Sequence, residues 1–339
     1  MRYQLLAEAL LSGKPYFGTA LCAMQSPPER HQYFLPVVSS LRRVVADNLK
    51  ILEIGSWAGA SAITWALALR ETAVSGTVTC VDAWTPYFDT AVDNYPQHRD
   101  MNAAARESLI FPLFEHNVRA AGVAEMVRAH RGPSRDVLPQ FSGASFDIIY
   151  IDASHRFEDV RFDIQQAKRL LSGDGIICGD DLELEASAVR GDELREAIRQ
   201  GADYAYAESA GSHYHPGVTG AVGDEFPAVR VWNGFWAVQR RGSDWATPDL
   251  DVTMLQVPDH VQTNSETPLL IGSTEMHNLV QAGDRFFAIS KALGPVALFE
   301  EYFGERELSP HLLVGNSQEE VRAKSEAVSS RDRGDSGTR

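Results

Sequence analysis

The chain has 339 residues, about two domains by size, and 44% are hydrophobic against 23% charged, so a sizeable core can form and a wholly disordered or fibrous chain is excluded. Lys and Arg number 31 against 46 Asp and Glu, a net charge of −15 with no basic run, which excludes nucleic acid as a main partner. Cys22, Cys80 and Cys178 are too scattered for a disulfide framework or a zinc knuckle. No apolar run approaches the ~20 residues of a membrane span, the first 14 residues read as neither signal peptide nor anchor, and a cytoplasmic protein is expected.

In chain order, residues 1–45 predict a helical cap broken at Pro27 and Pro28. Lys50 to Gly55 (KILEIG) is a short apolar run ending in glycine, a buried strand, and Ala60 to Arg70 has helical composition. Thr77 to Asp82 is a second strand, Met126 to His130 a third and weaker one, and Phe146 to Asp152 (FDIIYID) a fourth. Phe157, Val160, Ile164, Ala167 and Leu171 then fall on one face of a helix, and Gly175 to Asp181 (GIICGDD) is the fifth strand. Val229–Val231 and Phe235–Arg240, joined through Trp232, Asn233 and Gly234, form a closing antiparallel hairpin. Strands alternating with helices define a doubly wound, mostly parallel α/β domain over residues 46–242. Residues 243–266 predict a linker, 267–324 a small module that includes the strand Arg285–Ser290, and 325–339 a disordered tail.

Between the first strand and its helix lies Glu53-Ile54-Gly55-Ser56-Trp57-Ala58-Gly59. Two glycines let the backbone turn sharply and approach a ligand, but the spacing is not the G-x-G-x-x-G that grips a dinucleotide pyrophosphate. A cofactor without phosphates suits it better, and a hydride-transferring dinucleotide enzyme is disfavoured. Asp82 ends the second strand, where a carboxylate can accept both ribose hydroxyls of an adenosine. Loops of this kind also serve packing alone.

An acid followed by G-x-x-x-G, with a second acid closing the next strand, resembles the class I S-adenosylmethionine-dependent methyltransferases over about residues 45–185. The resemblance implies a seven-stranded Rossmann-like sheet. It puts Glu53, Gly55, Ser56 and Gly59 at the methionine end of the cofactor, Asp82 on the ribose, Gly132 and Ser134 at the adenine, and Asp152 beside them.

Asp152, Asp180 and Asp181 close the fourth and fifth strands, so a parallel sheet brings all three to one crevice. Their mutual repulsion calls for a cation, and hard oxygen ligands suit Mg²⁺, Mn²⁺ or Ca²⁺. The competing reading has Asp152 capping the next helix and the Asp pair in a solvated turn. His155, three residues after Asp152, has an imidazole suited to taking a hydroxyl proton near neutral pH. Asp-x-x-His on the fourth strand with an Asp pair on the fifth is similar to the metal-dependent sugar O-methyltransferases of macrolide pathways. That likeness implies a magnesium site at Asp152, Asp180 and Asp181, with His155 as base. The chain has IDASH where a broader bacterial set has IDGDH.

The connection from Trp84 to about Val123, with Tyr87, Phe88 and Tyr95, is long enough to be a lid. His213 and His215 flank Tyr214 in a later loop and suit a hydroxyl-rich substrate or a structural role. The unit from His277 to about Lys324 is similar to one appended to bacterial methyltransferases and glycosyltransferases, which implies a glycan or polysaccharide setting and names no activity; docking or homo-oligomer formation is expected of it. Three readings follow: a metal-assisted O-methyltransferase acting on a sugar or glycan hydroxyl, a metal-independent methyltransferase acting on another small molecule, and a non-catalytic nucleotide- or glycan-binding subunit.

Overall fold

The computed structural model describes residues 6, 9–10, 12–24, 27–42, 48–91, 95–262, 269–282, 285–291 and 312–335. Two compact units emerge, Met24–Gln262 and the pair Met1–Ala23 with Thr263–Arg339. Residues 24–45 and 243–262, read from composition as cap and linker, thus fall in the same unit as the sheet. His260 shows one reason: its Nε2 lies 3.0 Å from the Ala60 carbonyl and 3.1 Å from Thr64 Oγ1.

The elements of Met24–Gln262 run α1 (Phe34–Arg42), β1 (Leu49–Ile54), α2 (Ala60–Glu71), β2 (Gly76–Asp82), α3 (Pro96–Arg106), α4 (Ile110–Ala120), β3 (Val127–Arg131) and α5 (Ser134–Val137). They continue with β4 (Phe146–Ile151), α6 (Phe157–Leu170), β5 (Leu171–Leu182), α7 (Gly191–Gln200), β6 (Ala205–Ala207), β7 (Ser212–Tyr214), α8 (Pro216–Glu225), β8 (Arg230–Trp232), β9 (Gly234–Arg241) and β10 (Asp244–Ala246). The main sheet has the order β10-β9-β5-β4-β1-β2-β3, with β8 also on β9. Strands β3, β2, β1, β4 and β5 are parallel and β9 is antiparallel to β5. β8 and β10 pair with opposite halves of β9, so eight strands fill the seven positions expected. The hairpin turns through Asn233 (φ 53) and Gly234 (φ 94), the left-handed pair such a tight turn needs.

Apolar side chains cover both faces of this sheet. Val160, Ile164 and Ala167 of α6, all buried, pack with Leu52, Ile149 and Ile177. Elsewhere Phe34 stacks on Trp65 at 4.0 Å and meets Tyr150 at 5.0 Å. Burial on this scale, about 1.5–3 kcal/mol per large side chain, fixes the strand ends that carry the site.

In the other unit, β11 (Leu269–Ser273), β12 (His277–Ala282), β13 (Arg285–Ser290) and β14 (Leu312–Gly315) form an antiparallel sheet, followed by α9 (Gln318–Asp335). The expected strand at Arg285 is present. Helix α9 runs into the stretch read as disordered. Its first turns are anchored because buried Val321 packs with Leu279 and Ala288, and Ser325 Oγ lies 2.9 Å from His277 Nδ1. Residues 336–339 and most of the apolar stretch after Ser290 lie outside the described residues. Among the described residues no helix is long and apolar enough to cross a membrane.

Candidate active site

The C-terminal ends of β1, β2, β4 and β5 open into one cavity of about 720 Å³. Their edges are tied in register: Gly55 N donates to Val81 O and Asp152 N to Ile54 O, both at 2.8 Å. Gly55 has φ 88, and a Cβ there would stand 2.0 Å from the Asp152 carbonyl oxygen. Only glycine permits this crossing between the first and fourth strands.

Asp82 lines the cavity, yet its carboxylate already builds the loop. Oδ2 accepts from the Ser56 and Trp57 amides at 2.9 Å, and Oδ1 accepts from the Trp84 amide at 2.6 Å. An ionised carboxylate has about four acceptor sites, so roughly one remains for a ligand hydroxyl rather than the two expected. Burial raises its pKa against the lowering effect of these amides. Of the other residues expected at a cofactor, Gly55, Ser134 and Asp152 line the cavity, whereas Glu53, Ser56, Gly59 and Gly132 do not. Glu53 is wholly buried beneath the loop, and burial pushes its carboxyl up to about 8. It supports the loop from the core side.

The acids of β4 and β5 separate into two groups. Asp152, His155 and Asp181 bring donor atoms within 4.8 Å of one another, as do Asp181, Glu183 and His215, and also His155, Asp203 and His215. The expected set of Asp152, Asp180 and Asp181 is not among them. Asp180 is buried, its Oδ1 receives the Arg30 guanidinium at 2.6 Å, and it does not line the cavity. Asp181 has φ 62, a left-handed backbone that turns it the other way, toward His155 Nε2 at 3.0 Å. Arg30 also reaches Asp181 Oδ1 and Glu183 Oε1, each at 2.8 Å, and gives Nε to the Asn233 carbonyl at 2.7 Å.

His155 precedes α6 by two residues and does not begin it. The start of α8 presses on its backbone, since a Cβ at Gly217 would stand 2.1 Å from His155 O. Its ring is held between Asp181 and Asp203, with Nδ1 3.0 Å from Asp203 Oδ1. Desolvation lowers its pKa, but the two carboxylates outweigh this and raise it well above the ordinary value. Burial raises Asp181, but His155, His215 and Arg30 overcome it and hold the carboxyl well below the carboxylate range. Asp152 goes the other way, pushed well up by burial and by Asp180 and Asp181. The site is thus an excess of negative charge around one imidazolium and one guanidinium.

His215 lines the cavity with Nδ1 3.0 Å from Glu183 Oε2. His213 is outside it, stacked on Tyr204 at 5.2 Å and edge-on to Tyr206 at 4.9 Å. Tyr87, Phe88 and Tyr95 from the long connection line the wall. Sequence reasoning missed Arg30, Glu183, Asp203 and His98. Glu183 stands two residues after Asp181 and could have been read as the next same-face acid of β5. Arg30 and Asp203 meet the site only through the fold and carry no local signal.

A mostly parallel sheet whose strand ends open into one cavity is the arrangement expected from the resemblance to class I S-adenosylmethionine-dependent methyltransferases. Residues 52–182 match the model of a family described as a methyltransferase domain. No curated protein matches the chain. Similar solved structures include cofactor-bound Rv0187 from MTB, 20% identical over 69% of this chain and 88% of that one with a TM-score of 0.38. An O-methyltransferase from Bacillus cereus in complex with SAH is 20% identical over 70% and 89%, with a TM-score of 0.38. The O-methyltransferase NovP is 17% identical over 70% and 96%, with a TM-score of 0.45.

Proposed function

We propose that the protein transfers the methyl group of S-adenosylmethionine to a hydroxyl of a sugar or glycan, assisted by a divalent cation. The observation that carries this reading is the meeting of Asp152, His155 and Asp181 in the cavity that also holds Gly55 and Asp82. The methionine end of the cofactor is assigned to Gly55, one ribose hydroxyl to the remaining acceptor of Asp82, and the adenine side to Ser134. The aromatic wall of Tyr87, Phe88 and Tyr95 supplies flat faces for an acceptor ring, with His215 within reach of its hydroxyls.

Methyl transfer from a sulfonium to oxygen needs alignment and an acceptor that loses its proton. His155 Nε2 faces the cavity and is the group assigned to take that proton. Its two carboxylate neighbours keep it an imidazolium, so Asp181 must be drawn off before it can act as a base. The donor set fits a cation: Asp152 and Asp181 would hold it, with Asp180 behind them on Arg30. Few protein carboxylates and several retained waters suit Mg²⁺, with Mn²⁺ or Ca²⁺ as substitutes. Such an ion lowers the pKa of a bound hydroxyl.

Arg30 favours a second reading, in which the guanidinium is cation enough and the reaction needs no metal. Transfer of labelled methyl from S-adenosylmethionine to a panel of free, nucleotide-linked and aglycone-linked sugars, with Mg²⁺ or with excess chelator, separates the two. Metal-stimulated labelling supports the first, and equal labelling in chelator supports the second. No labelling under either condition, with S-adenosylhomocysteine bound, would leave a binding subunit.

A further inference from the structure

Asp203 follows α7, whose last turn closes at Gly201 with φ 68. It is buried, lines the cavity and sends its two oxygens in two directions. Oδ1 lies 3.0 Å from His155 Nδ1, and Oδ2 lies 3.4 Å from His98 Nε2. His98 belongs to α3, in the long connection between β2 and β3. Its ring is flat against Phe88 at 3.8 Å and 6°. One turn along α3, Asn102 Oδ1 accepts from the Tyr87 and Phe88 amides at 3.1 and 3.2 Å, and its Nδ2 donates to Phe88 O at 2.8 Å. A single carboxylate therefore joins the imidazole of the site to the segment that carries the aromatic wall.

We propose that Asp203 is a positioning residue that fixes the His155 ring through Nδ1 and couples it, through His98, to the seating of α3 beside the cavity. The role assigned to His155 rests on the function proposed above. A carboxylate on Nδ1 fixes the ring's rotation, which leaves Nε2 directed at the cavity beside Asp181. The second oxygen makes that orientation depend on whether the wall is in place.

Hydrogen–deuterium exchange on the full chain, without and with S-adenosylhomocysteine, tests the coupling. In Asp203→Ala and in His98→Phe, amides of residues 95–106 should exchange about tenfold faster than in the native chain, the factor for losing one charge-assisted hydrogen bond. Residues 60–71 should keep their rate. Imidazole nitrogen shifts of His155 should change in Asp203→Ala and, to a smaller degree, in His98→Phe. Asp203→Asn, which keeps an oxygen in place, should recover most of the protection. Native exchange at 95–106 in both variants, or native His155 shifts in Asp203→Ala, overturns the proposal. Equal loss of protection at 60–71 also overturns it, because Asp203 would then be merely structural. If S-adenosylhomocysteine fails to protect residues 55–59 of the native chain, the cofactor assignment fails, and the unliganded comparison still decides Asp203.

Discussion

The Arg30 guanidinium meets Asp180 at 2.6 Å and joins two residues 150 positions apart. The same fork reaches Asp181 and Glu183, so a permanent cation stands behind the acids of β5. Removing it leaves a buried carboxylate uncompensated. Arg30→Ala should lower stability to urea by about 3–5 kcal/mol, the range for breaking a buried ion pair. Arg30→Lys should recover only part, because an ammonium lacks the planar fork. A loss under about 1 kcal/mol, typical of exposed pairs, would contradict this account of Arg30.

Gly55→Ala places a methyl 2.0 Å from the Asp152 carbonyl at a left-handed φ. The first and fourth strand ends must then part, and calorimetry should show binding of S-adenosylhomocysteine lost or weakened at least about tenfold. Native affinity would mean that the loop lies outside the cofactor site.

Much of this fold was legible because its signals are local. KILEIG, FDIIYID and GIICGDD are apolar runs that end where ligands collect, and Asn233-Gly234 forms the expected turn. The site was legible only in part. Asp152, His155 and Asp181 come together, but neighbouring Asp180 turns into Arg30, and sequence spacing does not reveal that the Asp181 backbone is left-handed. His213 and His215 likewise look equivalent in sequence and part company in space. Arg30, His98 and Asp203 reach the site through tertiary packing, for which one sequence holds no periodicity.

Glu53 gives a pH test. Its carboxyl is raised in the folded chain from 4.5 to about 8 by burial. Between these values the unfolded chain has lost the proton that the folded chain retains, so this group makes stability fall as pH rises from 4.5 to about 8. Glu53→Gln removes the linkage. Urea unfolding should show the variant gaining on the native protein across that window, with no further change above it. Parallel profiles would contradict a neutral Glu53.

The compact unit Met24–Gln262 contains the whole cavity lining. Expressed alone, it should bind S-adenosylhomocysteine with near-native affinity. Ending the chain at Arg241 removes the His260 contacts to Ala60 and Thr64 and should lower its melting temperature. Equal melting of the two fragments would return 243–262 to the role of a linker.

His155→Ala should reduce methyl transfer by roughly 10²–10⁴, the span for a general base. Asp181→Asn should abolish stimulation by Mg²⁺ while leaving S-adenosylhomocysteine affinity largely unchanged. A His155 variant with native rates would move the proton-accepting role to His215, another imidazole of the cavity.

The central claim is that Asp152 and Asp181 together hold a cation beside the bound cofactor. Crystals grown with S-adenosylhomocysteine and Mn²⁺, measured at the manganese absorption edge, test it most directly. The account predicts an anomalous peak within bonding distance of both Asp152 and Asp181, with Arg30 still on Asp180. Bound S-adenosylhomocysteine at Gly55 and Asp82 with no peak at saturating Mn²⁺ would contradict it.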